Sequence, residues 1–117
     1  MSKKILIIDD DQDIRSYLSE LFTDNGYETA MAEDGSVAME AVETEKPDLI
    51  TLDLEMPGEW GPRFYRKLSQ NDEFKRTPVI VISGLNANKY AIPKAVATLT
   101  KPFDAEELIR IVKDTIG

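Results

Sequence analysis

The feature that most constrains the fold is a regular alternation of short apolar runs with segments of helical periodicity. Short apolar runs of this kind are typical of strands buried on both faces of a sheet. Strict strand–helix alternation predicts one α/β domain, in which a parallel sheet is covered by helices on both faces. The predicted strands occupy residues 4–8, 27–32, 49–52, 78–83 and 98–100.

Capping signals mark the ends of the predicted helices. Asp34 can cap the second helix, and Asp104 with Glu107 three residues later forms a capping box for the last helix. The fourth of the five expected helices, between the fourth and fifth strands, contains Pro93 and turn-forming residues, so we predict that it is shortened or irregular. The apolar residues of the last helix that we expect to be buried are Leu108, Ile111, Val112 and Ile116.

Composition narrows the classes of function. The 117 residues are enough for one domain, which we place at 1–117. The net charge of −8 would repel nucleic-acid phosphates and anionic membranes. The chain has no Cys and no His, so thiolate chemistry, imidazole metal ligands and His general bases are excluded. Any chemistry must therefore use carboxylates, hydroxyls and lysine.

Four acids lie within five positions directly after the first predicted strand: Asp9, Asp10, Asp11 and Asp13. Two like charges at about 4 Å repel by about 4 kcal/mol at an effective dielectric constant near 20. Asp11 and Asp13 fall at the start of the following helix, where free backbone amides favour negative charge. Asp9 and Asp10 need another explanation.

Polar residues follow the other predicted strands at the same edge of the sheet. Asp53 follows the third strand, Ser83 ends the fourth, and Lys101 follows the fifth. In open parallel sheets, ligands bind beyond the carboxyl ends of the strands. Three carboxylates without His or Cys suit a hard divalent cation, and we predict Mg²⁺ held by Asp9, Asp10 and Asp53. Glu33, after the second strand, is expected on the flank of the site.

Four motifs in register carry a resemblance to the receiver domain of two-component response regulators. They are IIDD after the first strand, LITLDLEMPG around the third, VISG at the end of the fourth and TKPF after the fifth. The chain resembles that family over its whole length. The resemblance implies a flavodoxin-like, doubly wound five-stranded sheet in the order 2-1-3-4-5. It also implies a phosphoryl-accepting signalling switch rather than an enzyme in the usual sense.

The resemblance also implies roles for individual residues. Asp53 would accept a phosphoryl group, and the backbone carbonyl of Glu55 would complete the Mg²⁺ shell beside Asp9, Asp10 and Asp53. This agrees with phosphoryl transfer being catalysed mainly by positioning and by cations on the phosphoryl oxygens.

Two further residues would contact the phosphoryl group. Ser83 would move to hydrogen-bond a phosphoryl oxygen, and Lys101 would pair with the phosphoryl group and with Asp53. Pro102 would follow Lys101 through a cis peptide bond.

The implied setting is a cytoplasmic two-component pathway. The phosphoryl donor would be a histidine kinase or a histidine phosphotransfer protein, and the output would be contact with another protein. We expect no nucleic-acid or membrane binding by this domain, and a monomer. The chain can equally be a single-domain regulator, a phosphorelay intermediate or the receiver half of a longer regulator.

Two alternatives come from other classes of protein. The acids from Asp9 to Glu20 partly match an EF-hand calcium loop, but Ile14 stands where that loop needs Gly and a strand precedes it. A small phosphatase of the haloacid-dehalogenase type would use Asp9 as its nucleophile, but Asp13 stands where that motif has Thr or Val. The receiver interpretation places the phosphoryl group on Asp53 and the phosphatase interpretation on Asp9.

The sequence departs from the receiver pattern at several positions. Glu55 places a carboxylate near the expected approach of hydrolytic water. Thr98 occupies the position at which the family often has an aromatic residue that follows the Ser or Thr movement. That relay is therefore absent or altered here, with Tyr90 as a possible replacement.

Overall fold

The computed structural model describes residues 2–54, 61–84, 92 and 94–117, which contain five strands and four helices. In chain order they are β1 (Lys4–Ile8), α1 (Gln12–Asp24), β2 (Glu28–Ala32), α2 (Gly35–Glu45), β3 (Leu49–Leu52), α3 (Gly61–Ser69), β4 (Val79–Ser83), β5 (Ala97–Thr100) and α4 (Ala105–Ile116).

The strands form one parallel sheet in the order β2-β1-β3-β4-β5, which confirms the predicted architecture. The chain moves from β1 outwards to β2 and then returns to the other side of β1 to form β3. The direction of winding therefore reverses between β1 and β3, and a crevice forms beyond their carboxyl ends.

The two faces of the sheet carry separate cores because successive side chains of a strand point to opposite faces. Helices α2 and α3 pack on one face and α1 and α4 on the other. Every residue of β3 and β4 is buried, as expected for central strands, whereas the edge strands β2 and β5 are partly exposed. The helix residues buried in these cores are Ala38, Val42, Phe64 and Leu68 on one face, and Leu18, Phe22, Leu108 and Val112 on the other.

The helix ends follow the predicted capping signals. Asp34 accepts hydrogen bonds from the backbone amides of Ser36 and Val37, and Asp104 accepts from those of Glu106 and Glu107. Each N-cap carboxylate thus satisfies two amides that have no partner inside the helix.

The buried face of the helices is narrower than the sequence pattern indicates. In α4, Ile111 and Ile116 are only partly buried. In α1, Tyr17 has the spacing of a core residue but is 49% exposed. Its ring contacts that of Phe103, with the ring centroids 6.1 Å apart.

Several sequence predictions lie outside the described residues. These concern Glu55, Tyr90, Pro93 and most of the fourth expected helix. Among the helices that the structure describes, none combines the length and apolar character that a membrane span requires.

Candidate functional site

The register of the sheet brings the first two acidic strand ends together. Ile8 of β1 pairs with Leu52 of β3, so the next residues, Asp9 and Asp53, leave the sheet side by side. The backbone N–H of Asp53 donates to the carbonyl of Ile8 at 3.0 Å, which extends the ladder by one residue. The backbone N–H of Asp9 donates to the carbonyl of Ala32 in β2 at 3.2 Å. Both aspartates are therefore held by the backbone of a neighbouring strand.

Three carboxylates converge at this point. One carboxylate oxygen from each of Asp9, Asp10 and Asp53 lies within 4.8 Å of the others. Asp9 and Asp53 are only 2% and 3% exposed, whereas Asp10 is open to solvent. Such a set of oxygen donors, partly buried and open on one side, fits a hard divalent cation that keeps some of its water. The predicted cluster thus exists in the folded chain.

Each of the three oxygen atoms of Asp9 accepts a hydrogen bond. One carboxylate oxygen, Oδ1, accepts from the backbone N–H of Asp11 at 2.9 Å, and Oδ2 accepts from the Lys101 ammonium at 2.8 Å. Its backbone carbonyl accepts from Nη1 of Arg15 at 2.7 Å. These contacts come from three parts of the chain, so they fix both the backbone and the side chain of Asp9.

Lys101 is the cation of the cluster. Its Nζ lies 2.8 Å from Asp9 Oδ2 and 3.6 Å from Asp53 Oδ2, so it forms ion pairs with both buried carboxylates. Burial by itself would lower the pKa of Lys101, but the hydrogen bond to Asp9 and the charges of Asp53 and Asp9 outweigh it and raise the pKa. The ammonium is therefore charged at neutral pH.

The backbone around Lys101 is also defined. Its N–H donates to the carbonyl of Ser83 at 3.0 Å, which joins the ends of β4 and β5. The Lys101–Pro102 peptide bond is cis.

The remaining two acids of the opening cluster belong to helix α1. Asp11 is its N-cap, with Oδ1 accepting from the backbone amides of Asp13 at 2.8 Å and Ile14 at 3.4 Å. Asp13 lies in the first helical turn. The predicted division of the four acids is confirmed for this pair, since both stabilise the helix start rather than the carboxylate cluster.

An open cleft of about 430 Å³ lies over the cluster. It is lined by Asp10, Asp11, Asp53, Gly84 and Lys101. Ser83 does not line this cleft and is fully buried beside it. Glu33 is exposed and is not among the lining residues, so its expected position on the flank gives it no contact with the cleft.

Two described residues lie near the site although the sequence pattern did not predict a role for them there. Arg15, six positions after Asp9, donates a hydrogen bond to the Asp9 carbonyl. Gly61, the first residue of α3, lies against the backbone of Asp53 and Leu54. The spacing of Arg15 one to two turns after the acids was an available signal, whereas the contact of Gly61 depends on tertiary packing.

Comparisons with known proteins agree with this geometry. A family model described as the response regulator receiver domain matches residues 5–113. Protein Rrf1 of Nitratidesulfovibrio vulgaris is 37% identical over 112 residues, covering 96% of this chain and 81% of that protein. Sporulation initiation phosphotransferase F of Bacillus subtilis is 36% identical over 116 residues, covering 97% of this chain and 93% of that protein.

A solved structure shares the fold. It is the receiver domain of a sensor histidine kinase from Pseudomonas aeruginosa PAO1, which was solved with a magnesium ion in its active-site cleft. The TM-score is 0.90 with 23% sequence identity, and the match covers 100% of this chain and 99% of that chain. At this level of identity the likeness establishes the fold.

Proposed function

The chain belongs to the response regulator receiver domain family and is a two-component signalling switch, and from this premise we propose that Asp53 is its phosphoryl acceptor. The observation that carries the proposal is the position of Asp53. It lines the open cleft between Asp10 and Lys101, at the carboxyl end of β3. Asp9, the nucleophile of the alternative phosphatase, is not among the residues that line this cleft.

In the proposed reaction, a carboxylate oxygen of Asp53 attacks the phosphorus of a phosphohistidine on the partner. The P–N bond breaks as the P–O bond forms, and the leaving imidazole keeps the electron pair. Lys101, charged and 3.6 Å from Asp53 Oδ2, is placed to pair with the oxygens of the transferred group. The Ser83 hydroxyl would donate a hydrogen bond to one of these oxygens. Ser83 is buried before the reaction, so this contact requires a local movement.

We propose Mg²⁺ as the cofactor of this step. Asp9, Asp10 and Asp53 would hold it, together with the backbone carbonyl of Glu55. When bound, the ion neutralises charge on the phosphoryl oxygens and offsets the repulsion among the carboxylates. The three oxygen donors within 4.8 Å support a cation of this class, and the magnesium ion in the receiver domain from Pseudomonas aeruginosa provides a precedent within the same fold.

Phosphorylation in vitro tests the assignment directly. The protein is incubated with Mg²⁺ and a small phosphodonor such as acetyl phosphate, and the product is analysed by intact mass and peptide mapping. We expect one added phosphoryl group on Asp53, with none on an Asp53→Asn protein and none when the metal is chelated. Labelling on Asp9, or unchanged labelling of Asp53→Asn, would contradict the proposal.

We further propose that the donor is a histidine kinase or a histidine phosphotransfer protein, that the domain acts in the cytoplasm, and that it transmits its signal by contact with another protein.

The net charge of −8 opposes self-association and supports a monomer. Sedimentation with and without beryllofluoride, which mimics the phosphoryl group, should give a monomer in both conditions. A tight dimer that appears only with beryllofluoride would exclude the monomeric switch.

A further inference from the structure

Gly61 begins helix α3 in unusually close contact with the end of β3. A Cβ atom built on Gly61 would lie 2.7 Å from the carbonyl oxygen of Asp53, 2.8 Å from Cα of Leu54 and 2.9 Å from its Cδ2. All three distances are shorter than real Cβ contacts, and two of the three atoms belong to the backbone. A side chain at position 61 would therefore force the start of α3 and the backbone at Asp53 and Leu54 apart.

The backbone of Asp53 is also held from the opposite direction. Its N–H donates to the carbonyl of Ile8 in β1 at 3.0 Å, while its carbonyl oxygen faces Gly61. The peptide units on either side of Asp53 thus contact β1 and α3. Leu54 is buried in the core under α3, so the packing of Leu54 cannot relax freely to make room.

From this contact we infer that Gly61 is a positioning residue for phosphoryl acceptance. Because Gly61 has no side chain, α3 begins in direct contact with the backbone of Asp53, and this contact keeps the acceptor carboxylate beside Asp10 and Lys101. The inference rests on the proposed role of Asp53. Gly61 does not itself touch the cleft, and it is absent from the residues that line it.

Another glycine at the same edge provides a contrast. A Cβ atom on Gly84, at the end of β4, would meet no atom of the described residues within 4 Å, although Gly84 lines the cleft. Of these two glycines beside the site, Gly61 is the one at which the described structure leaves no room for a side chain.

The expected consequence is a loss of reaction rate in a protein that still folds. Alanine at position 61 must change the separation between α3 and the backbone at Asp53 and Leu54, because real Cβ atoms essentially never show contacts below 3.0 Å. Rates of group transfer depend steeply on such distances, since a misplacement near 1 Å can cost about a hundredfold. We expect Gly61→Ala to be phosphorylated about tenfold or more slowly and to bind Mg²⁺ more weakly.

The experiment compares wild type, Gly61→Ala and Val112→Ala. Val112 is fully buried in the core on the other face of the sheet, so its truncation lowers stability without contact with the site. For each protein, thermal unfolding, Mg²⁺ affinity by calorimetric titration and the initial rate with acetyl phosphate at saturating Mg²⁺ are measured. If a variant is partly unfolded, all three are measured in trimethylamine N-oxide, which favours the folded state, and rates are referred to folded protein.

The expected result is a slower rate and weaker Mg²⁺ binding in Gly61→Ala, with both values unchanged in Val112→Ala. Equal rates in Gly61→Ala and wild type, or equal losses in the two variants, would overturn the inference while leaving Asp53 as the acceptor. Peptide mapping of the wild type distinguishes failure of this inference from failure of the proposed function. A phosphoryl group found on a residue other than Asp53 would refute the proposed function itself, and with it this inference.

Discussion

The ammonium group of Lys101 lies 2.8 Å from a carboxylate oxygen of Asp9, although the two residues are 92 positions apart in the chain. This contact joins the ends of β1 and β5, which are separated in the sheet by β3 and β4. Asp9 is almost fully buried and Lys101 is about three-quarters buried, so neither charge is well solvated. The pair therefore couples the charge of the site to the stability of the whole sheet.

Removing the cation should destabilise the metal-free protein. Lys101→Met leaves the buried Asp9 carboxylate without its ion pair, and loss of one partner of such a pair costs about 2 kcal/mol or more. Thermal unfolding without Mg²⁺ should therefore occur at a lower temperature. Added Mg²⁺ should raise the melting temperature more than in wild type, because the ion no longer competes with the ammonium.

Lys75→Met serves as the matched control for Lys101→Met. Lys75 pairs with the highly exposed Asp72 at 3.4 Å, and such surface pairs contribute at most about 1 kcal/mol. If Lys101→Met melts at the wild-type temperature without metal, the Lys101–Asp9 pair does not stabilise the fold.

Asp10→Asn should have the opposite effect without metal. Removing one of three neighbouring carboxylates relieves repulsion, by about 0.5 kcal/mol at an exposed position. The same change should weaken Mg²⁺ binding and reduce the stabilisation by added Mg²⁺. Thermal unfolding across a Mg²⁺ series measures both effects, with Asp72→Asn as the exposed control. A lower melting temperature for metal-free Asp10→Asn would show that the cluster is not under repulsion.

Thr51→Val should stabilise the protein. The Thr51 hydroxyl in β3 is buried and has no hydrogen-bond partner among the described residues, and Thr51 pairs in register with Ile7 and Ile80. Replacing an unpaired buried hydroxyl by a methyl group of similar size should raise the free energy of unfolding, measured in urea, by about 1 kcal/mol. Thr29→Val is the matched control, because the Thr29 hydroxyl hydrogen-bonds Ser19 at 2.8 Å and its loss should be destabilising. Destabilisation by Thr51→Val would indicate a partner for the hydroxyl.

Tyr27→Phe should reduce the loss of stability at alkaline pH. Burial raises the pKa of Tyr27, because the ionised phenolate is poorly solvated in the folded protein. A raised pKa in the folded state contributes stability that is fully present below pH ~10, the ordinary value, and is lost as pH rises through the folded value. Urea unfolding between pH 8 and 11, spanning roughly the ordinary tyrosine value, should show a shallower decline for Tyr27→Phe.

Lys101 contributes to the alkaline loss of stability as well. Because its pKa is raised in the folded protein, the stability that its charge provides is lost as pH rises through that pKa. This contribution is present in both wild type and Tyr27→Phe, so the difference between their pH profiles isolates Tyr27. Tyr17→Phe, which changes an exposed ring, should retain the wild-type decline. Identical profiles for Tyr27→Phe and wild type would contradict the assignment of the effect to Tyr27.

Local and periodic features of the fold were determined by the sequence alone. The β1 and β3 boundaries agree with prediction to the residue, and those of β2, β4 and β5 agree within one residue. Asp11, Asp34 and Asp104 were recognisable as N-caps because a cap acts on amides only two or three residues away. The convergence of Asp9, Asp53 and Lys101 was also predictable, because the carboxyl ends of parallel strands share one edge.

Contacts that depend on distances between elements were decided only by the tertiary structure. The sequence placed Lys101 at the site but did not indicate that it binds Asp9 more closely than Asp53. Two further examples are the contact of the Tyr17 ring with Phe103 and the close approach of α3 to Asp53, which requires glycine at position 61. Periodicity states which side of an element faces the core, whereas these properties depend on separations of a few tenths of an ångström, which are set when all elements pack together.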